Sequence, residues 1–296
     1  MSKSEHKRLL NHTDINPDTK NFSGMSIIDM LSAMNREDAN LSKILESAIP
    51  AVGRAVEIVT RCLAMGGRLV FVGEGTAGRL GVLEAVSCRT IFNTPDNLVM
   101  GIIAGGESAL TNNINHASED SKSALNIIDD LDIDGDDAVC GIMIYPPCPF
   151  LKTALLRAKE LEASTVLISR GYVSKDLKPD ALINFDTGPE VIAGAFELKA
   201  ASAIKMILNM ISTASMALLG KLYGNLMVDL NPVSEDDKLR AVRVLSLALN
   251  IEEPEAEKLL HTTEWDLKAA IYMKSLNIDY RTALDTLADN HGKVSL

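Results

Sequence analysis

The stretch GEGTAGRLGVLEAVSC, Gly73 to Cys88, follows the apolar run Arg68-Leu69-Val70-Phe71-Val72. Read in order, it is a strand, a glycine-rich turn and the start of a helix. Such a turn is a ready anion site, because free backbone N–H groups and the positive end of the helix dipole face the same point. Gly73, Gly75 and Gly78 permit close backbone approach, Thr76 adds a hydroxyl donor, and Arg79 sits where it can pair with an anion or with an acid elsewhere. The turn is not a Walker A loop, since no Gly-Lys-Ser/Thr follows. Gly73-x-Gly75-x-x-Gly78 matches the dinucleotide fingerprint by letter only. Two readings stay open: a phosphate or phosphosugar cradle, or a tight strand-to-helix turn. Glu74 opposes the first, because an acid inside a cradle repels a phosphate.

Working outward, NLVMGIIAGG reads as a second strand and DAVCGIMIY as a third, broken by Pro146-Pro147. STVLIS and ALINFDT read as a fourth and a fifth. Helical patterns alternate with them, in SALTNNINHASEDSKSALNIIDDLDI after a loop and in FLKTALLRAKELEA. The alternation predicts an α/β fold, a doubly wound parallel sheet flanked by helices. N-terminal to it lie an irregular arm over the first 24 or so residues and helices, one of which starts near Pro50 and ends at Gly66-Gly67. Val191 to Leu222 reads as one long Ala- and Met-rich helix, buried in the domain or packed on a partner subunit. The composition then shifts to short amphipathic segments. The expected organisation is an arm with helices over 1–50, the sheet domain over 51–237, and a small all-helical appendage resembling a UBA domain over 238–296.

The chain has 296 residues and a net charge of −11, with no basic stripe interleaved with aromatics, which argues against nucleic acid as a partner. Cys62, Cys88, Cys140 and Cys148 form no CxxC pair and no metal spacing, and read as free thiols in a reducing compartment. The polar N-terminus carries no apolar signal core, and no run is expected to cross a bilayer, so the expectation is a cytoplasmic protein without a membrane partner. His116 reads as a surface histidine, and Met206, Met210 and Met216 as packing residues.

Gly73-Glu74-Gly75-Thr76-Ala77-Gly78-Arg79-Leu80-Gly81 resembles the GAGTSGRLG loop of N-acetylmuramic acid 6-phosphate etherases, members of the sugar isomerase (SIS) superfamily, as are glucokinase regulatory proteins. GIIAGGE at 101–107, SEDS at 118–121, GPE at 188–190, GNLMVD at 224–229 and NREDANL at 35–41 extend the resemblance in order along nearly the whole chain. The resemblance implies an SIS-type fold and a homodimer with a sugar-phosphate site at the subunit interface. It also implies lactyl ether removal by elimination and water addition, without metal or organic cofactor. Elimination needs a base for the C2 proton and an acid for the leaving ether oxygen, two carboxyl groups with separate roles. Glu119 matches one of them. Gly75, Thr76, Ala77, Gly78, Arg79, Glu190 and Lys199 match positions that hold the ligand.

The chain also departs from the family pattern. The family's acid position is Ser87, in Glu84-Ala85-Val86-Ser87-Cys88, and Glu84, three residues earlier, is the candidate substitute. Ile144-Tyr145-Pro146-Pro147-Cys148-Pro149 stands where the family has a Ser- and Thr-bearing phosphate loop. Glu197 replaces an arginine, and Glu74 a small neutral residue. The expectation is a diverged sugar- or sugar-phosphate-binding or regulatory homologue with impaired etherase activity, self-paired or with a heterologous partner. The alternative is an active etherase using Glu119. Regulatory relatives also resemble the chain in having Ser at the acid position.

Overall fold

A computed structural model describes residues 14–144, 148–171 and 173–295. Two short 3-10 turns, Pro17–Thr19 and Phe22–Gly24, precede three helices, α1 (Ile27–Ala39), α2 (Leu41–Glu46) and α3 (Ile49–Ala64). Ser26 caps α1 by accepting the Asp29 N–H, and Pro50 sits in the first turn of α3, where its missing N–H costs nothing. Gly66, at φ +94°, ends the last turn as the sequence predicts.

The sheet is built from β1 (Leu69–Gly73), β2 (Val99–Ile103), β3 (Ala138–Met143), β4 (Ser164–Arg170) and β5 (Ala181–Phe185). All neighbours pair in parallel, in the order β2-β1-β3-β4-β5. The connecting helices are α4 (Gly75–Phe92), the single turn α5 (Ser108–Thr111), α6 (Ser121–Asp130) and α7 (Pro149–Glu160). The inner strands β1 and β3 are buried along their whole length, whereas β5 at the edge alternates. Covered faces select continuous apolar runs, as in Leu69-Val70-Phe71-Val72. Val70, Val72, Val139, Phe150, Leu151 and Leu155 make one core, with Ile128 of α6 packed into it. The order reverses between β1 and β3, and a doubly wound sheet opens its crevice at that reversal, outside the carboxyl ends of the strands.

The long helix α8 (Leu198–Leu218) begins seven residues later than the Val191 start expected from composition. Gly194, at φ +88°, interrupts the segment, and Glu190 reaches forward to accept the N–H groups of Lys199 at 2.8 Å and Ala200 at 3.1 Å. A side-chain cap therefore sets the start, where apolar composition alone does not. The expectation that no run could cross a bilayer is also corrected: α8 has 21 residues and is long and apolar enough by length and composition. Its buried residues Ala200, Ala203, Ile204, Ile207, Leu208 and Ile211 recur at helical spacing, while Ser202, Asn209 and Thr213 are exposed. That is the pattern of a core helix.

The chain divides into two compact units. One holds the described residues up to Val86 together with Asp96–Ser212, and so contains the sheet. The other holds Ser87–Pro95 and the residues from Thr213 on. It adds the hairpin β6 (Leu222–Tyr223) and β7 (Leu226–Met227), turned at Gly224 (φ +59°), to four helices: α9 (Glu235–Leu249), α10 (Glu253–Thr262), α11 (Leu267–Leu276) and α12 (Tyr280–Asp289). The division falls within α8 and not near residue 238. Ser234 and Asp237 close a capping box on α9. Leu245, Leu260, Leu267 and Ile271 form this unit's core, and Asp229 joins Lys221 at 2.7 Å to Lys268 at 3.1 Å.

Candidate functional site

β1 delivers the chain into the glycine turn at the sheet's reversal point. Gly75 takes φ +50° with open space around it, so its backbone angle is what calls for glycine. Gly78 is needed for a different reason. A Cβ there would lie 2.7 Å from Ile103 Cγ1 and 2.8 Å from the Gly73 carbonyl oxygen. Ala77 is buried against the turn. The Gly78 N–H already donates to the Glu74 carbonyl at 3.0 Å as α4 starts.

Glu74 is half-buried. It accepts hydrogen bonds from the Cys148 thiol and the Ser118 hydroxyl. Burial pushes the carboxyl above its ordinary value against those two hydrogen bonds, with the charges of Glu119 and Glu197 adding to the rise. Three carboxyl groups, from the β1 turn, the 3-10 turn Ala117–Glu119 and the loop before α8, thus lie near enough for the charges of the last two to act on the first. Glu119 is exposed, and His116 beside it is exposed with φ +60°. Cys148 caps α7, its sulfur accepting the Leu151 N–H at 3.4 Å. Burial and then the Glu74 charge push its thiol up to about 12, so it is protonated and unreactive. The Tyr145-Pro146-Pro147 part of the proline loop lies outside the described residues.

The hydroxyl and cations assigned to an anion have other partners. Thr76 Oγ1 donates to Glu197. Arg79 donates through Nε to the Leu110 carbonyl at 3.1 Å and through Nη2 to the Asn112 carbonyl at 3.0 Å. That clamp helps shape a small recess of about 110 Å³ lined by Glu74, Gly75, Arg79, Asn112, Ala117 and Ser118. Arg170, at the end of β4, donates to the carbonyls of Gly188 at 2.7 Å and Phe196 at 3.4 Å. Lys199 is 3% exposed and its Nζ lies 2.5 Å from Glu37 Oε2 on α1. It lines a second, larger cavity of about 580 Å³ together with Asn16, Glu37, Asn40, Lys43 and Thr187. Glu190 is 3% exposed, and its carboxylate caps α8.

The two candidate acids on α4 differ. Glu84 lies about two turns beyond Thr76 and is 3% exposed. Its carboxylate takes the Lys205 ammonium at 2.8 Å and the Ser212 hydroxyl at 2.5 Å. Those partners engage the Glu84 carboxylate and hold it against α8, which argues against its standing in for the missing acid. Ser87 lies about three turns beyond Thr76 along the same helix and is half-buried. The structure thus brings Gly75, Thr76, Ala77, Gly78, Arg79 and Glu119 together. It sets Glu190 and Lys199 into the framework around α8. Residue-by-residue reading missed Ser118 and Cys148 as partners of Glu74, and Glu37 as the partner of Lys199. The opening oddity of an acid in a glycine turn was the available signal for the first. All four cysteines are buried thiols outside any disulfide, and among the described residues no group of three or more His, Cys, Asp or Glu is arranged to hold a metal ion.

The fold is a parallel α/β sheet with a glycine turn at its reversal point, and residues 51–155 match the glucokinase regulatory protein N-terminal SIS domain. An N-acetylmuramic acid 6-phosphate etherase from Gloeothece citriformis is 36% identical over 295 residues, 99% of this chain and 96% of the relative. One from Geobacillus thermodenitrificans is 36% identical over 94% of this chain and 95% of its own. The chain belongs to the N-acetylmuramic acid 6-phosphate etherase family. Among solved structures, a phosphoheptose isomerase from Francisella tularensis matches with a TM-score of 0.48 and 16% identity, over 64% of this chain and 98% of that one.

Proposed function

We propose that the protein is a diverged member of this family that holds a sugar or sugar derivative at the glycine turn, with etherase activity toward N-acetylmuramic acid 6-phosphate impaired. The observation that carries the reading is the fate of the acid: Ser87 stands at its position, and the nearest carboxylate on the helix, Glu84, is held by Lys205 and Ser212. A serine hydroxyl is far too weak an acid to protonate a leaving ether oxygen at neutral pH, and losing such a group costs about 10²–10⁴-fold. The recess of about 110 Å³ is smaller than the few hundred Å³ usual for small-molecule sites. A second subunit would supply the missing wall. Ile27, Ile28 and Leu31 on α1, at 75%, 71% and 57% exposure, are an apolar face available for self-association.

The second reading is a working etherase in which Glu119 takes the C2 proton. It is favoured by Glu119 standing beside the turn with the Glu74 carboxyl, whose raised proton affinity suits a donor. A proton NMR time course in D2O with N-acetylmuramic acid 6-phosphate decides between the two. Lactate release at a rate typical of an efficient enzyme overturns the impaired reading. Deuterium exchange at C2 with lactate slowed by about 10²-fold or more fits a base without its acid.

A further inference from the structure

We propose that Glu74 is a specificity residue that closes the family's phosphate position, so that the glycine-turn site takes a hexose derivative with a free 6-hydroxyl in place of the 6-phosphate ester. This rests on the reading that the turn holds a sugar and names which class of sugar.

The argument starts from place. An anion cradle in this fold lies between the turn after β1 and the start of the helix after β3, where backbone N–H groups and helix dipoles converge. The Glu74 side chain leaves the first and meets the second, since its carboxyl accepts from Cys148, the residue that caps α7, and from Ser118. The cradle thus contains a carboxylate of the protein's own. Among the described residues, several side-chain and backbone donors around the turn are drawn to other partners. Pro149 at the first position of α7 has no N–H, and the Leu151 N–H goes to the Cys148 sulfur. Thr76 donates to Glu197. Arg79 and Arg170 donate to backbone carbonyls, and Lys199 is paired with Glu37.

Charge points the same way. A phosphate monoester is close to a dianion at neutral pH, and here it would face Glu74, Glu119 and Glu197 together. A sugar hydroxyl meets the opposite situation. Carboxylates are acceptors, so a free 6-hydroxyl can donate to Glu74 where a phosphate cannot. Burial already raises the proton affinity of Glu74, so a phosphate brought beside it favours proton uptake.

Calorimetric titration of the full-length protein with N-acetylglucosamine and with its 6-phosphate tests this without turnover. The wild type is expected to bind the free sugar about tenfold or more tightly than the phosphate. Glu74→Gln, which keeps size and removes charge, is expected to shrink that ratio about tenfold, and Glu74→Ala, which restores a small residue, at least as far. Lowering the pH is expected to strengthen binding of the 6-phosphate by the wild type and not by Glu74→Gln. Tighter binding of the phosphate by the wild type overturns the inference while leaving the sugar site intact. So does a ratio that neither substitution moves. Binding of neither sugar overturns the sugar-site reading, and the inference with it.

Discussion

The two ends of the parallel strands treat acids in opposite ways. At the amino ends, Asp137 is 1% exposed and fully engaged. It accepts the Arg68 N–H at 2.7 Å, Arg68 Nε at 3.0 Å and Nη2 at 2.6 Å, and the Asp134 N–H at 3.2 Å. Arg68 spends its remaining donors on the carbonyls of Leu131 and Asp132. At the carboxyl ends, Glu74 meets a hydroxyl and a thiol, the Arg79 guanidinium turns to backbone carbonyls, and Arg170 divides its donors between two carbonyls and the Glu190 carboxylate at 3.9 Å. One end is a closed ion pair that fixes the strands. The other concentrates negative charge with polar partners, as a site that meets hydroxyls would.

The comparison breaks most readily at Asp137. Asp137→Ala leaves Arg68 facing carbonyls alone and strips the Arg68 and Asp134 N–H groups of their acceptor. Removing one partner of a buried pair costs about 3–5 kcal/mol, and urea unfolding should read a loss of that size. A loss below about 1 kcal/mol would mean that the amino-end network is no firmer than a surface pair.

Lys199 tests whether the region between the ends is framework or site. It is buried against Glu37, and burial works to raise the Glu37 carboxyl, but hydrogen bonds from Lys199 and Asn16 outweigh it and hold the group below its ordinary value. A carboxyl with a depressed folded pKa stabilises the fold above its unfolded pKa, and that contribution is lost as pH falls through the folded value. Lys199→Met should therefore cost roughly 3 kcal/mol near neutrality, and the difference from wild type should shrink below about pH 4.5. Thermal melts across that range measure it. A variant that is fully stable but no longer binds sugar would move Lys199 from the framework to the ligand.

The framework was legible in the sequence because it is local. Leu69-Val70-Phe71-Val72 followed by Gly73 suits a central strand covered on both faces of a parallel sheet, and Pro50 and Gly66 mark their helix by backbone geometry alone. The site was legible only in part, because its chemistry depends on which loops meet. Nothing near Lys199 in sequence names Glu37, 162 residues away, and nothing near Glu84 names Ser212. The start of α8 was misread for the same reason: Val191-Ile192-Ala193 is apolar enough to continue a helix, and it is the Glu190 carboxylate, folded forward onto Lys199 and Ala200, that begins it. Glu74 was visible as an anomaly. Its meaning required Cys148, a residue on the far side of the sheet's reversal point.

The smallest expected effect is the sharpest test of the contrast between the ends. Glu74 is raised by burial first and by the neighbouring acids after its two hydrogen bonds, so the folded state holds its proton more tightly than the unfolded chain does. Between the unfolded carboxylate value near 4.5 and the higher folded value, the native protein binds more protons, and stability falls as pH rises through that window. Above it the ionised group is a standing destabilisation. Glu74→Gln removes that term while keeping hydrogen-bonding capacity toward Ser118 and Cys148. It should gain roughly 1 kcal/mol or less at neutral pH, since solvent screens a half-exposed group, and the gain should vanish toward about pH 4.5. The opposite sign, a loss at neutral pH, would mean that the carboxylate is held by favourable contacts as Asp137 is. In that case the two ends of the strands would not differ in kind. A gain shows stability given up at the crevice, the expected signature of a residue kept for what it selects and not for what it supports.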